Sequence, residues 1–281
     1  MVPCGTRLLQ DVRIVNLGLN TPGPIAAARF VKLGAAVTKI EPPSGDPLKE
    51  FARPWYEELC AGQTVLSLDL KKEAGRAAME HHLSSADLLL ASFRPSALAR
   101  LGLDWRSLQS RHPRLSFTGI IGYPHPNEER SGHDLTYLSD TGLLSPPQLP
   151  SSLYVDLAGA ERAVTLSLAL LLNSFRTGKA GCAWVSLHEC AWELAAPRRA
   201  GLTTLNGSLG GNSPFYSMYP ASDGWIAVAA LEPHFASRLL SELNLSAAGG
   251  AELQRVFRGR SAAEWESWGE ERGLPLAAVR V

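Results

Sequence analysis

Over roughly the first 120 residues, short apolar runs alternate with amphipathic stretches, and this alternation constrains the fold more than anything else in the chain. Residues 12–17 (VRIVNL) have the pattern of a buried strand. A turn, NTPGP, and a helical stretch ending at Gly34 follow. The strand pattern returns at residues 35–41, 64–70, 86–93 and 114–123, with helical segments such as residues 71–84 between the runs. Parallel strands need crossovers of about this length, so the expectation is an α/β fold with a mostly parallel sheet and helices on its faces.

Beyond Gly201 the texture changes. The run LTTLNGSLGGNSPFYSMYPASDG is rich in Gly, Ser, Asn and Tyr, with turn signals at Asn206-Gly207 and Asp223-Gly224. A strand pattern at residues 225–231 and helical patterns at 235–243 and 262–272 complete it. The reading is a large α/β domain over residues 1–200 and a smaller α+β domain over residues 201–281.

Composition removes several function classes. Twenty-seven basic and twenty-seven acidic residues cancel, so nothing in the charge points to nucleic acid. No apolar run has the length of a membrane span. Cys4, Cys60, Cys182 and Cys190 show no metal-binding or disulfide spacing and read as reduced thiols, which points to a cytoplasmic protein without a metal site. The first strand is not followed by G-x-G-x-x-G, and no phosphate-loop motif occurs, which argues against a nicotinamide or triphosphate enzyme. Gly23 and Pro24 are expected to start a helix whose N–H groups could meet an anion.

The chemistry is expected between Gly132 and Arg162. His133 and Asp134 follow a glycine, a Pro-rich loop comes next, and Asp156 precedes a long apolar helix. Alone, Asp156 reads as a helix N-cap, His133 as a capping or core histidine, and Asp134 as a cap of its own short helix. Glu232, before Pro233, reads as a surface acid at a strand end.

The segments GAAVTKIEPPSGDP, LSLDLKKEAGR, ADLLLASFRPSALARLGLDW, GHDLTY, VDLAG and RTGKAG, in that order, resemble class III coenzyme A transferases and α-methylacyl-CoA racemases. The resemblance runs from about residue 10 to about residue 240. It implies a Rossmann-like large domain and a small domain, with acyl-CoA in a cleft between them and two chains interlocked as a homodimer. It also implies coenzyme A as part of the substrate and no tightly bound cofactor. The family's catalytic carboxylate maps to Asp156, a nucleophile in the transferases and a proton donor and acceptor in the racemases. The opposing base maps to His133 and its orienting acid to Glu232. Leu68, Lys71, Ser92, Phe93, Arg94 and Arg100 match positions that contact coenzyme A; a solvated basic helix face is the alternative reading of Lys71 and Arg100, with equal weight at Arg100.

Two departures stand out. CAGQ at residues 60–63 replaces a segment that carries two phosphate-binding cations in many relatives, and the return from the small to the large domain is not seen. The residues are compatible with a racemase or epimerase of 2-methylacyl-CoA thioesters, a CoA transferase working through Asp156, or a CoA-binding protein without turnover. The retained His133 and Glu232, and a loop at Gly210-Gly211 with few glycines, favour the first.

Overall fold

A computed structural model of the chain describes residues 7–247 and 249–280, so Cys4 lies outside the described residues. The chain divides into two compact units, Met1–Ala195 and Ala196–Val281, where the change of sequence texture predicts a boundary at residue 201. Among the described residues, no helix is long and apolar enough to cross a membrane.

The first unit is built on six strands: β1 (Arg13–Leu17), β2 (Ala36–Glu41), β3 (Thr64–Ser67), β4 (Leu88–Ala91), β5 (Ser116–Ile121) and β6 (Cys182–Ser186). All their pairings are parallel, in the order β3-β2-β1-β4-β5-β6. Helices cover both faces: α1 (Pro22–Lys32), α2 (Leu48–Phe51), α3 (Arg53–Cys60), α4 (Glu73–Leu83), α5 (Pro95–Arg100), α6 (Trp105–Arg111), α7 (Asp134–Asp140), α8 (Tyr154–Thr177) and α9 (Leu187–Leu194).

The cores show why β4 reads as an unbroken apolar run. Leu88 and Leu90 join one cluster with α1, α3, α8 and α9, whereas Leu89 and Ala91 join another with α4, α5 and α6. Successive side chains on a strand point to opposite faces, so a sheet covered on both sides must be apolar at every position. The third strand ends at Ser67, short of the 64–70 run; Leu68 still donates its N–H to the Glu41 carbonyl at 2.9 Å, and Leu68 and Leu70 pack in the second cluster.

The order reverses between β1 and β4, whose following segments part there. Ligands of open parallel sheets bind at such a point, outside the carboxyl ends of the strands.

The second unit holds α10 (Ala196–Arg199), β7 (Tyr216–Pro220), β8 (Trp225–Ala229), α11 (Pro233–Glu242), α12 (Gly250–Phe257), α13 (Ala262–Glu271) and β9 (Leu276–Ala278). Its three strands form an antiparallel sheet, β7-β8-β9. Ile226, Val228, Leu239, Leu253, Phe257 and Trp265 fill its core, and Trp265 Nε1 donates to the carbonyl of Phe257 at 2.7 Å.

Candidate active site

A cavity of about 310 Å³ opens at the switch point of the first unit. Its walls are the loop after β1 (Leu19–Pro22), the loop after β4 (Ser92–Arg94), the end of β5, the start of α7 and the first turn of α8. His133 and Asp156 both line it.

The segment that brings them together depends on close packing. Tyr137 is fully buried between two glycines; a Cβ on Gly132 would lie 2.5 Å from its Cε1, and one on Gly122 would lie 2.5 Å from its hydroxyl. The glycine before the His-Asp pair is therefore what lets α7 pack against the end of β5. His133 is the extended residue that begins α7, and its backbone N–H donates to Thr136 Oγ1 at 2.9 Å.

Asp156 is not the N-cap of α8. Leu153 holds that position, and Asp156 sits in the first helical turn, 8% exposed. Asp134 performs the capping instead: its Oδ1 accepts the N–H of Val155 at 2.7 Å and of Asp156 at 3.0 Å. It thus caps the next helix, not its own. This contact spans two helices and a proline-rich loop, and no local sequence pattern signals it.

The Asp156 side chain meets one close donor, Thr21 Oγ1, at 2.6 Å from Oδ2. Burial pushes its carboxyl up to about 6; the Thr21 hydrogen bond pulls down, the Asp134 charge pushes up and His133 pulls down. Burial also raises Asp134, against the opposing pull of the two N–H groups it accepts. Tyr137 is raised by burial and then by the charge of Asp156.

The start of α1, where an anion site is expected from the sequence, offers fewer donors than an ordinary helix start. Pro22 and Pro24 have no N–H to offer, and Gly23 is buried. In the loop before it, Gly18 N donates to Asn16 Oδ1 at 2.7 Å, Leu19 N to Ser92 Oγ at 2.9 Å and Asn20 N to Asp46 Oδ1 at 2.9 Å. Arg94 and Arg130 line the cavity; Arg130 is bridged to Asp140 at 3.3 Å and lies over the Tyr123 ring.

The other predicted residues are divided. Ser92, Phe93 and Arg94 line the cavity, and Arg94 donates to Ser131 Oγ at 2.8 Å. Leu68 is half-buried in the second core cluster, while Lys71 and Arg100 are exposed; none of the three lines the cavity. Glu232 belongs to the second unit, as the extended residue before α11. Among the described residues no group of three or more His, Cys, Asp or Glu is placed to hold a metal ion.

Sequence reading missed a buried ionic group beside the cavity. Lys39, on β2, is fully buried and donates to Asp46 at 2.6 Å and to the Gly18 carbonyl at 3.3 Å. Glu41 accepts from Lys49 and from the Tyr56 hydroxyl, each at 2.7 Å. Burial pushes Glu41 up, but the Lys49 and Tyr56 hydrogen bonds and the Lys39 charge leave it below the usual range. The signal was the charged pair flanking Ile40 in KIE, at the buried end of the strand.

Human α-methylacyl-CoA racemase is 30% identical over 263 residues, covering 84% of this chain and 65% of its own length. Cinnamoyl-CoA:phenyllactate CoA-transferase of Clostridium sporogenes is 29% identical over 269 residues, covering 85% of this chain and 65% of its own length. The chain thus spans just under two thirds of each of these curated relatives. The crystal structure of a hypothetical protein of Mycobacterium tuberculosis shares the fold, with a TM-score of 0.83 at 24% identity over 97% of this chain and 83% of that one. A family model described as CoA-transferase family III matches residues 9–281, and the chain belongs to that family.

Proposed function

We propose that the protein acts on acyl-CoA thioesters and that its reaction is α-proton transfer, as in a racemase or epimerase of 2-methylacyl-CoA. The observation that carries this reading is a buried Asp156, titrating near 6, in one cavity with His133. A carboxyl with that value is roughly one-tenth protonated at pH 7, so both of its forms are populated. An acid–base catalyst works best when its pKa lies near the operating pH.

In the forward direction neutral His133 takes the proton from the carbon next to the thioester carbonyl. The C–H electron pair moves into the carbonyl to give an enolate, and protonated Asp156 returns a proton on the other face. The reverse direction exchanges the two roles. The N–H groups of Val155 and Asp156 are already given to Asp134, and Arg94, which lines the cavity, is the donor assigned to the enolate oxygen. Coenzyme A is assigned the segment from Ser92 to Arg94 with Leu68, Lys71 and Arg100. A homodimer in the cytoplasm completes the reading.

The second reading is CoA transfer with Asp156 as nucleophile. It is favoured by the same burial, because a desolvated carboxylate attacks a thioester more readily, and by the Clostridium sporogenes relative. Incubating single enantiomers of a 2-methylacyl-CoA with the protein in D₂O separates the readings. Proton transfer predicts α-deuteration with loss of optical purity. Acyl exchange with a free carboxylic acid and no α-deuteration would replace it with transfer. Neither reaction, together with thermal stabilisation by the thioester, would make the protein a CoA binder without turnover.

A further inference from the structure

The loop between β1 and α1 is held more firmly than a connection of this length requires. Three consecutive N–H groups, of Gly18, Leu19 and Asn20, are each held by a side chain from a different segment: Asn16 on β1, Ser92 after β4 and Asp46 after β2. Asp46 is itself fixed by fully buried Lys39, which also donates to the Gly18 carbonyl. Asn20 adopts a left-handed conformation, φ 63°, which turns the chain before Thr21. Gly18 and Gly23 approach so closely that a Cβ on either would overlap the other's Cα.

The residue this scaffold delivers is Thr21, 8% exposed, with its hydroxyl 2.6 Å from Asp156 Oδ2. Thr21 precedes α1 but makes no side-chain cap to it, so its hydroxyl does not serve its own helix. We propose that Thr21 is the positioning residue of Asp156: its hydroxyl occupies Oδ2, fixes the carboxylate plane and leaves the reaction to Oδ1. The role presupposes Asp156 as the reacting group. A donor held by three strand ends cannot follow the carboxylate if it rotates, so the hydrogen bond selects one rotamer.

The charges that act on Asp156 are those of Asp134 and His133; Tyr137, Glu128, Arg94 and Arg130 line the same cavity, and neither arginine is hydrogen-bonded to its carboxylate. Thr21 is therefore the close neutral donor that favours the carboxylate form.

The test compares Thr21→Val, which keeps the shape but removes the donor, with Thr21→Ser, which keeps the donor. The Asp156 carboxyl is followed by ¹³C NMR against pH in aspartate-labelled protein, with Asp156→Asn identifying its resonance. The parent should titrate near pH 6, Thr21→Val at a higher pH, and Thr21→Ser close to the parent. Turnover in Thr21→Val should fall roughly ten-fold in kcat with KM little changed, from the loss of one hydrogen bond to a charged group. If Thr21→Val misfolds, Thr21→Ala carries the same comparison. Equal titration of Thr21→Val and the parent, or Thr21→Ser behaving as Thr21→Val, overturns the role. The expected titrations with no thioester chemistry in any form would uphold the positioning and remove the proposed reaction instead.

Discussion

Two buried acids touch the loop after β1, Asp46 through the N–H of Asn20 and Asp156 through the hydroxyl of Thr21. Their surroundings differ in charge. Asp46 has a lysine at 2.6 Å and shares it with no solvent, since both side chains are fully buried. Asp156 has no cation at contact distance; its close donor is a neutral hydroxyl, and it lies near a second carboxylate, Asp134. The first arrangement anchors a loop. The second keeps a carboxyl where it can gain or lose a proton near neutral pH, which is a costly state that packing alone would not select.

The sharpest way to break this comparison is to remove the anchor's cation. Lys39→Met leaves Asp46 and Glu41 buried without it and should cost about 3–5 kcal/mol in urea unfolding. A loss below 1 kcal/mol would show that the two acids are not so different. Next in size is Asp156→Asn, with the opposite sign. Asp156 titrates near 6 when folded against an ordinary 3.8, so between about pH 4 and pH 6 the folded protein holds the extra proton. Its contribution to stability therefore falls as pH rises through that window, reaching a cost of about 3 kcal/mol above it. Asp156→Asn should match the parent at pH 4 and exceed it at pH 7; equal pH profiles would mean an unperturbed carboxyl.

Smaller effects sharpen the picture around Asp134. Replacing it with Ala leaves two N–H groups of α8 unpaired and should cost about 1–2 kcal/mol, whereas Asp134→Asn retains an acceptor and should lose less. Calorimetry of the two variants distinguishes capping from a purely electrostatic role. Smallest of all, Lys71→Ala and Arg100→Ala alter exposed side chains and should change stability by less than about 0.5 kcal/mol. If they contact coenzyme A as proposed, affinity falls a few-fold and the loss shrinks at high salt.

The parallel sheet was legible because burial on both faces writes an apolar run at each strand, as in LLLA of β4 and SFTGII of β5. β6 was not, since only Val185 and Ser186 of its five residues are buried at the sheet edge. His133 and Asp156 were legible through motif order. Their geometry was not: Asp134 acts on α8, 21 residues away, and Thr21 acts on Asp156 across 135 residues. Periodicity reports which face of an element is buried, but not which distant polar group meets it. Lys39 was missed for that reason, as a charge on a strand reads as an exposed position until its partners are seen.

The central claim is that His133 and Asp156 move the α-proton on opposite faces. It is tested most directly by following deuterium exchange into each enantiomer of a 2-methylacyl-CoA with His133→Ala. The expected result is exchange without inversion from one enantiomer, through Asp156, and almost none from the other. Equal exchange from both hands, or parent-like racemisation in that variant, would contradict it.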